Sequence, residues 1–127
     1  MKGEPLRILH QTLLGEALMS GRSAVLVTDD EGRYLAVNDS ATELLGYSRD
    51  ELVDLNAHDV SMSSEEEIAD VYAMLSRTRS LQRTARLRRQ DGVVGTIGYV
   101  ALESVVAGLP VVVFVTGPID TFAPETS

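Results

Sequence analysis

Few residues in this chain have the type and spacing to do chemistry. There is no cysteine, which removes disulfides, thiolate metal sites, thiol nucleophiles and cysteinyl cofactor adducts together. Asp29, Asp30 and Glu31 form an acidic triplet that suggests Ca²⁺, but the ligand spacing of a calcium loop is missing and the following Gly32 makes a turn the better assignment. Glu65, Glu66 and Glu67 are adjacent, so on a helix they point in different directions and cannot work as an acid–base pair. The glycines at 92, 95 and 98 hint at a phosphate loop, yet no Gly-Lys-Ser/Thr follows and the segment is β-rich. No nucleophile, base and orienting group come together anywhere. The expectation is a protein without catalytic residues and without a metal site, and not an enzyme.

Charge narrows the partners. The net charge is −8, unevenly spread: residues 1–76 hold 15 acids against 5 bases, residues 77–90 hold six arginines and no acid, and residues 91–127 hold four acids and no base. An acidic chain is a poor nucleic-acid binder, because phosphate neutralisation supplies most non-specific affinity. The arginines (Arg77, Arg79, Arg83, Arg86, Arg88, Arg89) have no interleaved aromatics for base stacking. They read as a solvated strand face paired with acids elsewhere, and no nucleic acid is expected. The longest apolar runs, such as 110–115, are far short of the roughly 20 residues of a bilayer span. No signal-peptide pattern opens the chain, so no membrane and a cytoplasmic location are expected.

The elements that would position these residues follow from periodicity. At 127 residues, with 44% hydrophobic and 24% charged side chains, the chain suits one globular domain. Residues 5–20 predict a helix with Leu6, Leu9, Leu13 and Ala17 on one stripe and Gly21 as its stop. A β-rich run at 24–28, the turn 29–32 and a second strand at 34–38 predict a hairpin. Asp39 or Ser40 would cap a helix at 41–45 closed by Gly46, and Ser48 with Glu51 form a capping box opening a helix at 51–55. A weakly structured acidic stretch, 56–62, precedes a longer helix capped by Ser63 or Ser64, with Ile68, Val71, Tyr72 and Leu75 on one apolar face. Alternation from 81 to 88, the Asp91-Gly92 turn, a strand at 93–103, a turn at 107–108 and a strand at 109–116 predict an antiparallel meander. The strands at 99–102 and 111–115 are apolar on both faces, so both faces need a cover. The tail from Gly117, with two prolines, is expected to fray.

Three motifs in this order carry a resemblance. Residues 28–38 (TDDEGRYLAVN) look like the first hairpin of the PAS sensor domain, which ends in "vN". Residues 41–52 (ATELLGYSRDEL) are similar to the family's "a…llGys.eEl", and residues 87–92 (LRRQDG) to its "l.rkDG" hairpin. The resemblance spans residues 24–119. It implies an α+β fold: a five-stranded antiparallel sheet with short helices and one long helix on one face. The N-terminal helix, 1–22, would lie on the other face or at a dimer interface, ahead of a PAS domain at 23–119 and a disordered tail at 120–127. Asp29, Gly32, Asn38, Gly46, Asp91 and Gly92 would be structural residues of the motif, with positive φ expected at the three glycines.

What the resemblance implies for function is a sensory and signal-transduction domain of bacterial regulatory type. Flavin-adduct and coumaroyl photoreceptors need the missing cysteine. Haem-binding members usually ligate iron from a histidine on the long helix, which has none; His10 lies on the N-terminal helix, and His58-Asp59 resembles a local "HpdD" motif. No cofactor is expected, with haem or non-covalent FAD as the residual alternatives. A small apolar or anionic metabolite would bind between sheet and long helix, lined by Val37, Ile68, Val71, Tyr72, Leu75, Leu81, Arg83, Ala85, Leu87, Ile97, Tyr99, Ala101, Val112 and Phe114. Arg83 stands where the family usually has an apolar residue, so an inward arginine must find a ligand anion or a carboxylate such as Glu43. Signalling would run through a homodimer built on Leu6, Leu9, Leu13, Ala17, Val100 and Leu102, toward an output domain or partner protein not present in this chain. The alternative is a ligand-free dimerisation module. The ending 116–121 (TGPIDT) departs from the family's usual "DIT" exit, and its proline denies a continuous signalling helix.

Overall fold

The structure, a computed structural model, describes residues 22–125. Strands β1 (Ser23–Thr28) and β2 (Tyr34–Val37) form the opening hairpin, followed by helices α1 (Asp39–Leu45), α2 (Arg49–Leu52), α3 (Ala57–Val60) and α4 (Glu65–Thr78). Strands β3 (Ser80–Arg88), β4 (Val94–Val106) and β5 (Leu109–Pro118) complete one antiparallel sheet in the order β2-β1-β5-β4-β3. This is the expected α+β, five-stranded arrangement, with β5 returning through the middle so that the hairpin and the meander share one sheet. No helix among the described residues is long and apolar enough to cross a membrane. The predicted helix at 5–20, with Leu6, Leu9, Leu13 and Ala17, lies outside the described residues.

Local sequence accounts for most boundaries. Asp29 closes the first hairpin by accepting from the amides of Glu31 (2.9 Å) and Arg33 (3.0 Å). The cap of α1 is Asn38, not Asp39 or Ser40. Its Oδ1 accepts from Val25 N–H at 2.9 Å and Ala41 N–H at 3.0 Å, while its Nδ2 donates to the Ser23 carbonyl at 3.0 Å. One side chain thus caps a helix and stitches the hairpin to it. Gly46 ends α1 at φ 81°, in the left-handed region that a Cβ disfavours.

Ser48 and Glu51 form the anticipated reciprocal cap, but α2 stops at Leu52 rather than 55, because Asp54 and Leu55 bond back three residues instead of four. The stretch 56–62, expected to be weakly structured, contains α3, held by a second reciprocal cap between Asn56 and Asp59. Of the two candidate caps for α4, Ser64 is the one used, paired with Glu67.

The core divides in two. The larger cluster joins the hairpin, α1, α2 and α3 to the sheet through Leu26, Val37, Leu44, Leu45, Leu52, Val60 and Ile97. The smaller one sits under the end of α4, where Leu75 packs on Ala101 and Val112. Phe114 packs against both, with its ring centroid 6.3 Å from that of Tyr72 and 5.8 Å from that of Tyr99.

The tail expected to fray is folded through Glu125. A 3-10 turn, Ile119–Thr121, leads to a short strand β6 (Ala123–Pro124) paired with β4 at Gly95 and Thr96. Phe122 and Ile119 pack on the larger cluster. A Cβ on Gly95 would come within 2.5 Å of the Phe122 ring, so only glycine admits this approach. Arg86 and Glu125 add a two-pronged ion pair (2.5 and 2.9 Å), and Arg22 meets Asp120 at 3.0 Å. Apolar packing and charge pairing outweigh the prolines that suggested fraying.

Candidate functional site

Between α4 and the inner sheet face lies a cavity of about 270 Å³. A cavity of about 150 Å³ suffices for benzene, so this one has room for a ring or a short chain with substituents. Its position follows from the way α4 seats. Leu75, near the helix end, is completely buried against Ala101 and Val112, whereas Val71 and Ile68, one and two turns earlier, are only half-buried and line the cavity. The helix is seated at one end and stands off the sheet at the other.

Of the residues expected to line the site, Ile68, Val71, Tyr72, Arg83, Ala85, Leu87, Ile97, Tyr99 and Phe114 border this cavity. Val37 does not; it is buried in the larger cluster. Leu75, Leu81, Ala101 and Val112 do not either, because they pack together where the helix meets the sheet. Val100 and Leu102 belong to β4, on the face opposite Tyr99 and Ala101 by alternation, with Leu102 buried and Val100 half-buried. The expectation missed Leu26, Tyr34, Leu44, Leu45 and Val60, which form the far wall. His58 is exposed on α3 and does not border the cavity.

Tyr34 is the consequential omission. Strict alternation from an inward Val37 points Leu35 inward and Tyr34 out. The pairing of β1 with β2 instead slips between Val27 and Thr28, so Thr28 opposes Tyr34 and Leu35 bulges to solvent at 51% exposure. Tyr34 therefore turns inward, 7% exposed. Its hydroxyl has no hydrogen-bond partner among the described residues, and the side chain lines the cavity. Burial holds that phenol protonated far beyond the ordinary range, with the nearby Tyr72 and Asp59 adding to the effect.

The other phenols differ. Tyr72 shares a hydrogen bond with Thr28 Oγ1 at 2.8 Å, and Thr28 in turn donates to the Asp29 carbonyl, tying the cavity wall to the first hairpin. Burial raises the Tyr72 pKa, partly offset by the Thr28 bond. Tyr99 is also raised by burial, with Arg83 acting in the opposite direction.

Arg83 and Tyr99 are direct cross-strand partners on the inner face. Among the described residues Arg83 has no carboxylate partner: Glu43 acts instead on Arg22, and Arg83 Nη2 lies 3.2 Å from Met74 Sδ on α4. The facing rim carries Glu67, held by the Ser64 cap, and Asp70. Elsewhere in the arginine block, Arg79 pairs with Glu103, Arg86 with Glu125 and Arg89 with Asp91.

Comparison with known proteins places this architecture. A PAS domain family model matches residues 22–115. No curated protein matches the chain. Among solved structures, the PAS domain of an HTR-like protein from Haloarcula marismortui superposes with a TM-score of 0.72 at 18% identity, covering 93% of this chain and 99% of that one. A PAS domain from a two-component sensor histidine kinase gives 0.69 at 16% identity, covering 85% and 96%. The PAS domain of nitrogen regulation protein NR(II) from Vibrio parahaemolyticus gives 0.63 at 14%, covering 76% and 88%. At these identities the structures speak for the fold, and the family match covers most of the chain. With the family model matched over most of its length and the 2-1-5-4-3 sheet in place, the chain belongs to the PAS domain family.

Proposed function

We propose that this PAS domain senses a small, mostly apolar or anionic metabolite held in the cavity under α4, and passes its occupancy on through a homodimer to a partner or output domain. The observation that carries this reading is the phenol of Tyr34, buried, lining the cavity and without a hydrogen-bond partner among the described residues. A buried donor without an acceptor costs about 1–3 kcal/mol, and an occupant with an oxygen removes that cost. The apolar wall from Leu26, Leu44, Val60, Val71, Ile97 and Phe114 provides the remaining affinity. The hydrogen bond from Tyr72 to Thr28 offers a route from the cavity to the first hairpin.

The test is a titration of ¹⁵N-labelled protein with pooled cell metabolites of low mass. Amide shifts concentrated at Tyr34, Val71, Ala85, Ile97 and Tyr99 are expected. Shifts scattered over the surface, or none, would contradict a ligand in this cavity. Haem and flavin remain alternatives for the occupant, and each would announce itself as a visible absorption band in the purified protein.

A further inference from the structure

We propose that the occupant is a monocarboxylic acid with an apolar body, its carboxylate at the mouth on Arg83 and Tyr99 and an oxygen at its far end on Tyr34. This rests on the reading of the cavity as a ligand site and specifies what enters it. The two polar ends of the cavity lie at opposite edges of the sheet, Tyr34 on edge strand β2 and Arg83 on edge strand β3. Between them the lining is mostly aliphatic and aromatic, from Leu26 and Leu45 across Phe114 to Ile97, and the hydroxyl of Thr116 on the central strand is already bonded to Ala24 and Gly117. A ligand that satisfies both ends must be polar at its termini and apolar in its middle.

The two ends want different groups. Tyr34 offers one neutral phenolic donor in a closed apolar setting, suited to a hydroxyl or carbonyl oxygen and poorly suited to a charge. Among the described residues Arg83 offers a guanidinium with no carboxylate partner, resting against a thioether, beside a Tyr99 phenol that likewise has no hydrogen-bond partner there. A carboxylate accepts from both at once, and charge-assisted bonds of this kind are the stronger ones. An arginine kept from Asp70 and Glu67, although all three border the same cavity, leaves its donors for an incoming acceptor.

The same two acids set the upper limit on ligand charge. Glu67 and Asp70 repel a second negative group at the mouth, so the rim discriminates against dicarboxylates and phosphates while Arg83 and Tyr99 hold a single carboxylate. With room for about a benzene and a short chain, an acid of roughly eight heavy atoms in its body fits.

Calorimetric titrations of octan-1-ol, octanoate and 8-hydroxyoctanoate against the native protein, Arg83→Gln and Tyr34→Phe test this directly. Octanoate is expected to bind about tenfold tighter than octan-1-ol, the modest end for a charge-assisted pair because Arg83 is exposed. That preference should shrink in high salt and vanish in Arg83→Gln, with octan-1-ol unaffected. 8-Hydroxyoctanoate should gain a further severalfold over octanoate, lost in Tyr34→Phe alone. Equal binding of acid and alcohol, or a preference that survives Arg83→Gln, would overturn the carboxylate assignment and leave an apolar-ligand site. If none of the three binds while the purified protein carries a different small molecule, the acid is wrong and the cavity still functions. If none binds and the purified protein carries nothing, both readings fall.

Discussion

Asn38 does the most structural work of any single side chain in the described residues. It accepts from Val25 and Ala41 and donates to Ser23, so its removal strips a helix cap and orphans strand groups beside it. Asn38→Ala is expected to cost about 2–3 kcal/mol, measurable by urea unfolding with an unchanged m-value. Tyr34→Phe should behave in the opposite way. Without ligand, the hydroxyl has no acceptor among the described residues, so its loss leaves stability within about 1 kcal/mol or raises it. A larger loss would show that the phenol is bonded within the fold. The hairpin aspartate was legible in the sequence because its partners lie within a few residues, whereas Asn38 was legible only as a residue of the motif, since the sequence points to its neighbours Asp39 or Ser40 as the cap of α1. Tyr34 was not, since its direction depends on a register slip between Val27 and Thr28 that alternation does not reveal. Arg83 borders the cavity but is exposed, and no carboxylate among the described residues pairs with it, because which acid reaches an arginine is decided by tertiary placement.

At the level of elements, α4 combines a seated end and a raised end. Leu75→Ala, at a site with no exposure, should cost about 2–5 kcal/mol through the hole it leaves. Val71→Ala, at the cavity, should cost about 1 kcal/mol or less, since its removal enlarges a space that already exists. Comparable losses at the two positions would mean that the helix is packed evenly along its length. The stripe of α4 was visible in the sequence, whereas the standoff was not, because it depends on the small Ala101 accepting Leu75 from across the sheet.

The C-terminal segment gives the second prediction at this scale. Arg86 holds the Glu125 carboxyl below its ordinary value of 4.5, by hydrogen bond first and charge second. The pair's contribution is therefore complete above that value and disappears as pH falls through the depressed folded one. Protection factors at Thr96 and Ala123, with the intrinsic pH dependence of exchange divided out, should fall over that acid window, and Glu125→Gln should make them independent of pH there. Gly95→Ala should release the same segment at every pH by driving off the Phe122 ring. An unchanged exchange rate in Gly95→Ala would show that the ring approach does not hold β6.

For the whole molecule, the fold was legible because three local motifs in order fixed the hairpin, the short helices and the meander turn. The near wall was legible along the regularly alternating strands and the α4 stripe, whereas the far wall came from packing that brings α1 and α3 over the sheet. The central claim is that the resulting cavity holds a metabolite, and a native mass spectrum of the purified protein tests it most directly. The expected spectrum shows a dimer with a reproducible added mass of one small acid per chain, lost on denaturation. A dimer at the bare chain mass, unchanged after incubation with octanoate and 8-hydroxyoctanoate, would contradict the claim and make the domain an interaction module with an unused cavity.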